Sequence, residues 1–143
     1  MSKRSYCTFH LDRLLVGIAV DRVEEVRRDQ RITPVPLADR DVAGLLNLRG
    51  QIVTAIDGRR RLGLPARTGG SSPTFVVIRS GGEAVSLLVD SAGDVVDVDD
   101  YRLEQVPETV GSCIRALALG AYQLEGNELL LVLDPDLTLA VTS

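Results

Sequence analysis

Residues 42–57, VAGLLNLRGQIVTAID, place two short apolar runs on either side of the pair Arg49-Gly50. Runs of this kind, separated by two residues that include glycine, are typical of a β-hairpin, since glycine takes the positive φ of a tight turn. The stretch therefore predicts two antiparallel strands with Arg49 at the turn. An arginine at the end of so apolar a hairpin is either a solvated turn residue or a contact to another molecule, and residue type alone favours the first reading.

Three other segments have the same hairpin pattern. Their paired runs are residues 6–11 with 14–20, 74–80 with 83–90, and 114–124 with 128–133. Residues 23–28 and 91–100 predict single strands, the first at a sheet edge. Aromatic residues make up only 3% of the chain and apolar residues 45%. Valine, leucine and isoleucine must therefore fill the core, which favours a mainly β fold.

Two stretches about 77 residues apart share one plan. RGQIVTAIDGRRRLGL and GNELLLVLDPDLTLAV each contain a strand, an aspartate and a short helical segment. Asp57 and Asp134 are predicted N-caps, and the second helix is expected to run to Val141. The repetition predicts two similar β-subdomains, each capped by a small helix, and the even spacing of short strands indicates small barrels.

Charge and motifs exclude several function classes. The net charge of −4 and the pI near 5.0 argue against nucleic acid or an anionic membrane as the main partner. The run Arg59-Arg60-Arg61 is therefore interpreted as a solvated helix face. The sequence has no P-loop and no GxGxxG motif, and its single histidine, His10, has no GxSxG-type partner.

Cysteine usage and apolar runs bear on the compartment. Cys7 and Cys113 lie far apart with no CxxC motif, so we expect free, buried thiols rather than a zinc site. The longest purely apolar run, residues 129–133, is far too short to span a bilayer, and residues 1–13 do not resemble a signal peptide. These features predict a cytoplasmic protein without direct membrane insertion. Residues 65–73 are predicted to be a loop.

The acidic run between Asp90 and Asp100 holds five aspartates and no cation. An EF-hand loop needs oxygen ligands at positions 1, 3 and 5 and glycine at position 6, but Ala92 and Val95 occupy the third and sixth positions. A metal-dependent hydrolase built on this run is the alternative from a different class. Glu24 and Glu25 are strand neighbours that point to opposite faces, so they cannot act on one substrate together. The sequence favours a binding module with no metal and no cofactor.

The central hairpin also carries a resemblance to a known family. The string VAGLLNLRGQIV at residues 42–53 resembles the N-L-R-G signature of CheW-like domains. The similarity extends to residues 23–26 and 32–36 upstream and to residues 84–90 and 129–134 downstream. It implies a CheW-like fold of two small five-stranded SH3-like β-barrel subdomains with short capping helices, forming a single domain over residues 5–143.

The resemblance implies a non-enzymatic adaptor. CheW-like proteins couple methyl-accepting chemoreceptors to a CheA-type histidine kinase, so the expected partners are the regulatory domain of that kinase and the cytoplasmic tip of a chemoreceptor. A cytoplasmic location at membrane receptor arrays follows from these partners. The alternative is a CheW-like paralogue that serves another pathway, such as type IV pilus motility, or that modulates receptor arrays.

The resemblance also implies a site. Arg49 matches the family's receptor-contacting arginine, and Glu25 matches its groove glutamate. The expected apolar wall of the receptor groove consists of Val23, Val26 and Val98. The residues expected to support the turn are Asn47, Gly50 and Gly44. The chain departs from the family at Gly58, where a leucine is usual, and a glycine there weakens the short helix by roughly 1 kcal/mol.

Overall fold

Ten strands form two five-stranded sheets in the computed structural model, which describes residues 2–28, 30–66 and 72–140. The strands are β1 Lys3–Leu11, β2 Leu14–Ala19, β3 Val23–Arg28, β4 Val42–Leu48, β5 Gln51–Asp57, β6 Thr74–Ser80, β7 Glu83–Val89, β8 Ser91–Asp99, β9 Ala118–Gln123 and β10 Leu129–Leu133. The helices are α1 Gly58–Arg61, α2 Ser112–Leu117 and α3 Pro135–Leu139. None of the helices in the described ranges has the length and apolar character needed to cross a bilayer.

The strand order of the first sheet is β8-β1-β2-β10-β9, and that of the second is β3-β6-β7-β5-β4. Neighbouring strands are antiparallel except for the pairs β2–β10 and β5–β7, which are parallel. The mainly β fold of two five-stranded SH3-like subdomains is thus confirmed, although the edge strands of each sheet do not close it into a continuous barrel.

The predicted internal repetition is present, and the two copies are interlaced. We define the first half as β1–β5 with α1 and the second half as β6–β10 with α2 and α3. The first sheet combines the β1–β2 hairpin of the first half with β8, β9 and β10 of the second half. The second sheet combines the β6–β7 hairpin of the second half with β3, β4 and β5 of the first half. Neither half therefore contains a complete sheet.

Three clusters of buried side chains explain why both faces of many strands are apolar. In β6, Phe75 and Val77 point into the core of the second sheet, while Val76 and Ile78 point into a cluster between the sheets. Strand neighbours point to opposite faces, so a continuous apolar run fits a strand buried on both sides. The core of the first sheet consists of Tyr6, Leu15, Tyr122, Leu130 and Val132.

Both predicted aspartate caps are confirmed. The Asp57 carboxylate accepts hydrogen bonds from the backbone N–H groups of Arg59 and Arg60 at 3.0 and 3.2 Å, and Asp134 caps α3 in the same way. The glycine at position 58 has a packing reason. A Cβ at Gly58 would lie 2.4 Å from the carbonyl oxygen of Leu88, so no side chain fits without moving the backbone.

Two expectations need correction. Residues 114–117, predicted as part of a strand, belong to α2, because Ile114 and Leu117 lie three residues apart and are both buried on one helical face. Cys7 and Cys113 are both free, but Cys7 is only partly buried and Cys113 is exposed.

Two expectations fall partly outside the described residues. The predicted loop at 65–73 includes residues 67–71, which lie outside them, as does Val141, the predicted end of the last helix. Within the described part, α3 ends at Leu139.

Candidate functional site

The β4–β5 turn confirms the predicted central hairpin and adds one feature to it. Gly50 has φ of 85°, as expected, but Arg49 also has positive φ, at 52°. Positive φ at both central residues is the signature of a type I′ turn, in which asparagine and glycine are usual and arginine is not. The Asn47 side-chain oxygen accepts a hydrogen bond from the Gly50 N–H at 2.9 Å, which holds the turn. The Arg49 side chain is 68% exposed.

The Arg49 guanidinium reaches across the open side of the second sheet. Its Nη1 donates to Glu25 Oε2 at 2.9 Å. Glu25 lies on β3, which is the opposite edge strand of the sheet from β4. The sheet therefore curls until its two edges approach, and the ion pair joins them at one end of the subdomain.

Two arginines surround the Glu25 carboxylate. Arg27, two residues along β3, places Nε 3.2 Å from Glu25 Oε1. Glu25 is 22% exposed, and its shielded Oε1 accepts no hydrogen bond from the described residues. Glu25 engages only one of the five N–H donors of Arg49. The cluster therefore presents a cation whose remaining donors suit a carboxylate or a carbonyl group of a partner.

A β-bulge brings two of the predicted groove residues onto one face. Val23 pairs with Ile78 and Val26 pairs with Val76. Val23 and Val26 are three residues apart and would point to opposite faces of a regular strand, but the extra residue of the bulge between Val23 and Glu25 puts both on the same face. Val23 is half-buried against the cluster between the sheets, whereas Val26 is 43% exposed. An apolar position thus remains open on β3, on the face of the sheet opposite to the Glu25 side chain.

The remaining predicted site residues lie further away. Val98 is on β8, the edge strand of the first sheet, and packs against that sheet's core. Gly44 has φ of 152°, and a Cβ there would lie 2.4 Å from the Thr33 carbonyl oxygen. The structure therefore places Gly44 where segment 32–33 approaches β4, with the bridge between Thr33 and Leu45, rather than at the turn.

Two residues close to Arg49 or to its partner Glu25 were not singled out from the sequence. Ile52 is the cross-strand partner of Asn47 and is 64% exposed, which leaves an apolar side chain beside the turn. Arg27 shares the Glu25 carboxylate. Both could have been found from strand alternation, because Arg27 follows Glu25 by two residues and so lies on the same face.

The acidic run at 90–100 does not form a cluster. Asp90 pairs with Arg59, Asp100 pairs with Arg4 at 2.9 Å, and the Ser5 hydroxyl donates to Asp97. No group of three or more His, Cys, Asp or Glu side chains suited to a metal occurs within residues 2–28, 30–66 and 72–140. The geometry gives the hydrolase hypothesis no support.

The arginine run at 59–61 was wrongly interpreted as a solvated face. Arg61 donates to the carbonyl oxygens of Thr138 and Leu137 at 2.8 Å each, which satisfies carbonyl groups in the last turn of α3. Arg59 is only 17% exposed and binds Asp90. Only Arg60, at 53% exposure, fits the prediction.

Comparison with known proteins shows which family the chain resembles. The family model described as CheW-like domain matches residues 5–142. The chemotaxis protein CheW of Rhizobium meliloti is 32% identical over 110 residues, which cover 77% of this chain and 71% of the relative. The chemotaxis protein CheW of Bacillus subtilis is 33% identical over 94 residues, which cover 66% of this chain and 60% of the relative.

A solved structure shares the fold. The scaffolding protein TtCheW from Thermoanaerobacter tengcongensis superposes with a TM-score of 0.87 and 24% identity, covering 99% of this chain and 95% of that one. At that identity the likeness shows the fold alone. The family model and the sequence relatives show family membership: the chain belongs to the CheW-like domain family.

Proposed function

We propose that this chain is a non-enzymatic adaptor of bacterial chemotaxis that couples methyl-accepting chemoreceptors to a CheA-type histidine kinase. Its partners are the regulatory domain of the kinase and the cytoplasmic tip of the receptor, and it acts in the cytoplasm at receptor arrays without a cofactor. Family membership supports this role, since the relatives are named chemotaxis proteins and the solved neighbour is titled a scaffolding protein.

The observation that carries the proposal is the placement of Arg49. An ordinary residue in the left-handed region costs roughly 1–2 kcal/mol, and asparagine or glycine would suit this turn better. The ion pair with Glu25 offsets only part of that conformational free energy, because the arginine is 68% exposed and exposed pairs contribute about 0.2–1 kcal/mol. An arginine held outward at this cost is better explained by a contact to a partner than by the fold.

The surroundings of Arg49 suit a helical receptor tip. Glu25 and the turn held by Asn47 and Gly50 orient the guanidinium, and in the proposal Arg49 is the polar anchor. Val26 offers an exposed apolar contact on β3, the edge strand that also carries Glu25. Val23 and Val98 complete the proposed apolar wall, and Gly44 supports the strand that leads into the turn.

A binding experiment tests the proposal. Kinase and receptor cytoplasmic fragment from the same organism are captured with wild-type chain, with Arg49→Glu and with Arg13→Glu. Arg13 is a matched control, because it is an exposed arginine in the turn between β1 and β2. We expect Arg49→Glu to lose the receptor and keep the kinase, since it places a carboxylate beside Glu25 and removes the anchor, while Arg13→Glu keeps both partners.

Two results would contradict the proposal. If the folded wild-type chain captures neither partner, the adaptor role is wrong and the chain serves another pathway. If Arg49→Glu captures the receptor as well as wild type does, the adaptor role stands but Arg49 is not the receptor anchor.

A further inference from the structure

Two ion pairs join the interlaced halves at equivalent places. In the first, Arg22 lies in the segment that connects β2 to β3, and its partner Asp136 is the second residue of α3. In the second, Asp90 lies between β7 and β8, and its partner Arg59 is the second residue of α1. Each pair thus links the connecting segment of one half to the helix of the other half.

The two pairs also share their geometry. Arg59 binds Asp90 through Nε and Nη2 at 2.9 and 2.6 Å. Arg22 binds Asp136 through Nη2 and Nη1 at 2.5 and 3.5 Å. Both guanidinium groups therefore meet the carboxylate with two nitrogens, which is the geometry that makes an arginine–carboxylate pair directional.

Each pair extends to the hairpin of the opposite half. Asp90 accepts a hydrogen bond from the Asp12 backbone N–H in the β1–β2 turn at 2.7 Å. Arg22 donates to the Arg79 carbonyl oxygen in the β6–β7 hairpin from Nε and Nη2 at 3.1 and 2.9 Å. The same arrangement thus occurs twice: a connecting-segment residue holds the helix and the hairpin of the other half.

The signs of the charges are reversed between the two arrangements. The connecting segment carries Arg22 in the first half and Asp90 in the second half. The helix carries Arg59 in the first half and Asp136 in the second half. The hydrogen bond to Asp90 raises the pKa of Arg59, and the hydrogen bonds from Arg22 and Ser80 lower the pKa of Asp136, so each partner favours the charged form of the other.

This reversal matters because each half has five strands followed by a closing helix, so that a half could pair with a like half from another chain. If two first halves came together, Arg22 would face Arg59. If two second halves came together, Asp90 would face Asp136. We propose that the two ion pairs are a charge code that directs each half of the chain to the unlike half and disfavours the pairing of like halves from two chains.

Full-length variants test the charge code. The exchange variant, Arg59→Asp with Asp136→Arg, makes both contacts repulsive within one chain and makes like halves complementary. The neutral variant, Arg59→Gln with Asp136→Asn, removes the attractions without adding repulsion. The restored variant adds Arg22→Asp and Asp90→Arg to the exchange variant. Because exchange and restored variants have the same helix residues, effects of charge on the helix ends cancel between them.

The readouts are the urea midpoint and the dimer fraction after refolding, measured by size exclusion with light scattering. We expect a lower midpoint and a severalfold larger dimer fraction for the exchange variant than for the neutral variant, and a restored variant whose dimer fraction falls back to that of the neutral variant. The midpoint of the restored variant should recover only in part, because Arg22→Asp loses the hydrogen bonds to the Arg79 carbonyl oxygen and Asp90→Arg loses the one from the Asp12 N–H. The difference between the exchange and neutral variants should shrink between ~0.05 and ~0.5 M salt, because salt screens these exposed and partly buried charges.

Two results would overturn the charge code. One is an equal midpoint and an equal dimer fraction for the exchange and neutral variants. The other is a restored variant that is as dimeric as the exchange variant, which would mean that the four charges do not select how the halves pair.

Discussion

Replacing Arg49 with asparagine separates the turn conformation from the cation that the turn presents. Asparagine tolerates the left-handed region, so the variant recovers part of the roughly 1–2 kcal/mol that an ordinary residue loses there. It also loses the ion pair with Glu25, which contributes about 0.2–1 kcal/mol at 68% exposure of the arginine. The two effects have opposite signs. We therefore expect the free energy of unfolding to change by less than about 1 kcal/mol.

The same variant should be severely impaired in receptor binding. Removing an arginine anchor from the centre of an interface typically costs at least about 2 kcal/mol, which is roughly a 30-fold increase in Kd. Urea unfolding followed by far-UV circular dichroism measures the stability, since the chain has no tryptophan to serve as a fluorescent probe. Titration calorimetry with a receptor cytoplasmic fragment measures the Kd. Arg13→Asn, in the turn of another hairpin, is the control and should leave the Kd unchanged.

Either half of this expectation can fail. A loss of more than about 2 kcal/mol in stability would exceed any exposed ion pair. It would mean that Arg49 chiefly clamps the two edges of the second sheet. An unchanged Kd at unchanged stability would show that the receptor does not use the guanidinium.

Three further predictions concern the fold. Gly44→Ala should destabilise the chain by about 2 kcal/mol or more, because the new Cβ meets the Thr33 carbonyl oxygen at positive φ, whereas Gly82→Ala, in open space, should cost less; urea midpoints compare the two. Asp134→Ala should cost about 1 kcal/mol through loss of the α3 cap, measured in the same way, and no loss would contradict that role. Because the folded-state pKa of Asp136 is lowered, its stabilising effect should be complete above about pH 4 and should fade as the pH drops through that lowered pKa. The difference in Tm between wild type and Asp136→Asn should therefore vanish in acid, and a difference that persists there would refute the linkage.

The parts of the fold that local chemistry determines were predictable. The turn at Arg49-Gly50, the Gly81-Gly82 turn and the caps at Asp57 and Asp134 all follow from residues that restrict the backbone or accept specific hydrogen bonds. The contact between Arg49 and Glu25 could be expected only from the family resemblance. The two residues lie on opposite edges of one sheet, and strand periodicity does not report how far a sheet curls.

The failures also have physical reasons. The stretch 114–117 is so short that helix and strand periods cannot be told apart, and packing of Ile114 and Leu117 on the core decides in favour of the helix. The partners of β3 and β8 were not predicted, because strand alternation shows which face is buried and not which strand lies beside it. Arg59 and Arg61 looked solvated because their carboxylate and carbonyl partners are distant in sequence.

The interlacing of the halves also sets an order of events during synthesis. The second sheet is complete once β7 has left the ribosome, because all five of its strands precede Ser91. The first sheet must wait for β9 and β10. In the β1–β2 hairpin, which is made first, β1 can pair with β8 as soon as Asp99 has emerged, but β2 lacks its outer partner until Leu133 has emerged. During that interval the apolar face that later fills the cluster between the sheets is exposed on the nascent chain. The parallel pairing of β2 with β10 is therefore the late, long-range step of folding, and it is where a growing chain is most open to capture by chaperones or by other chains.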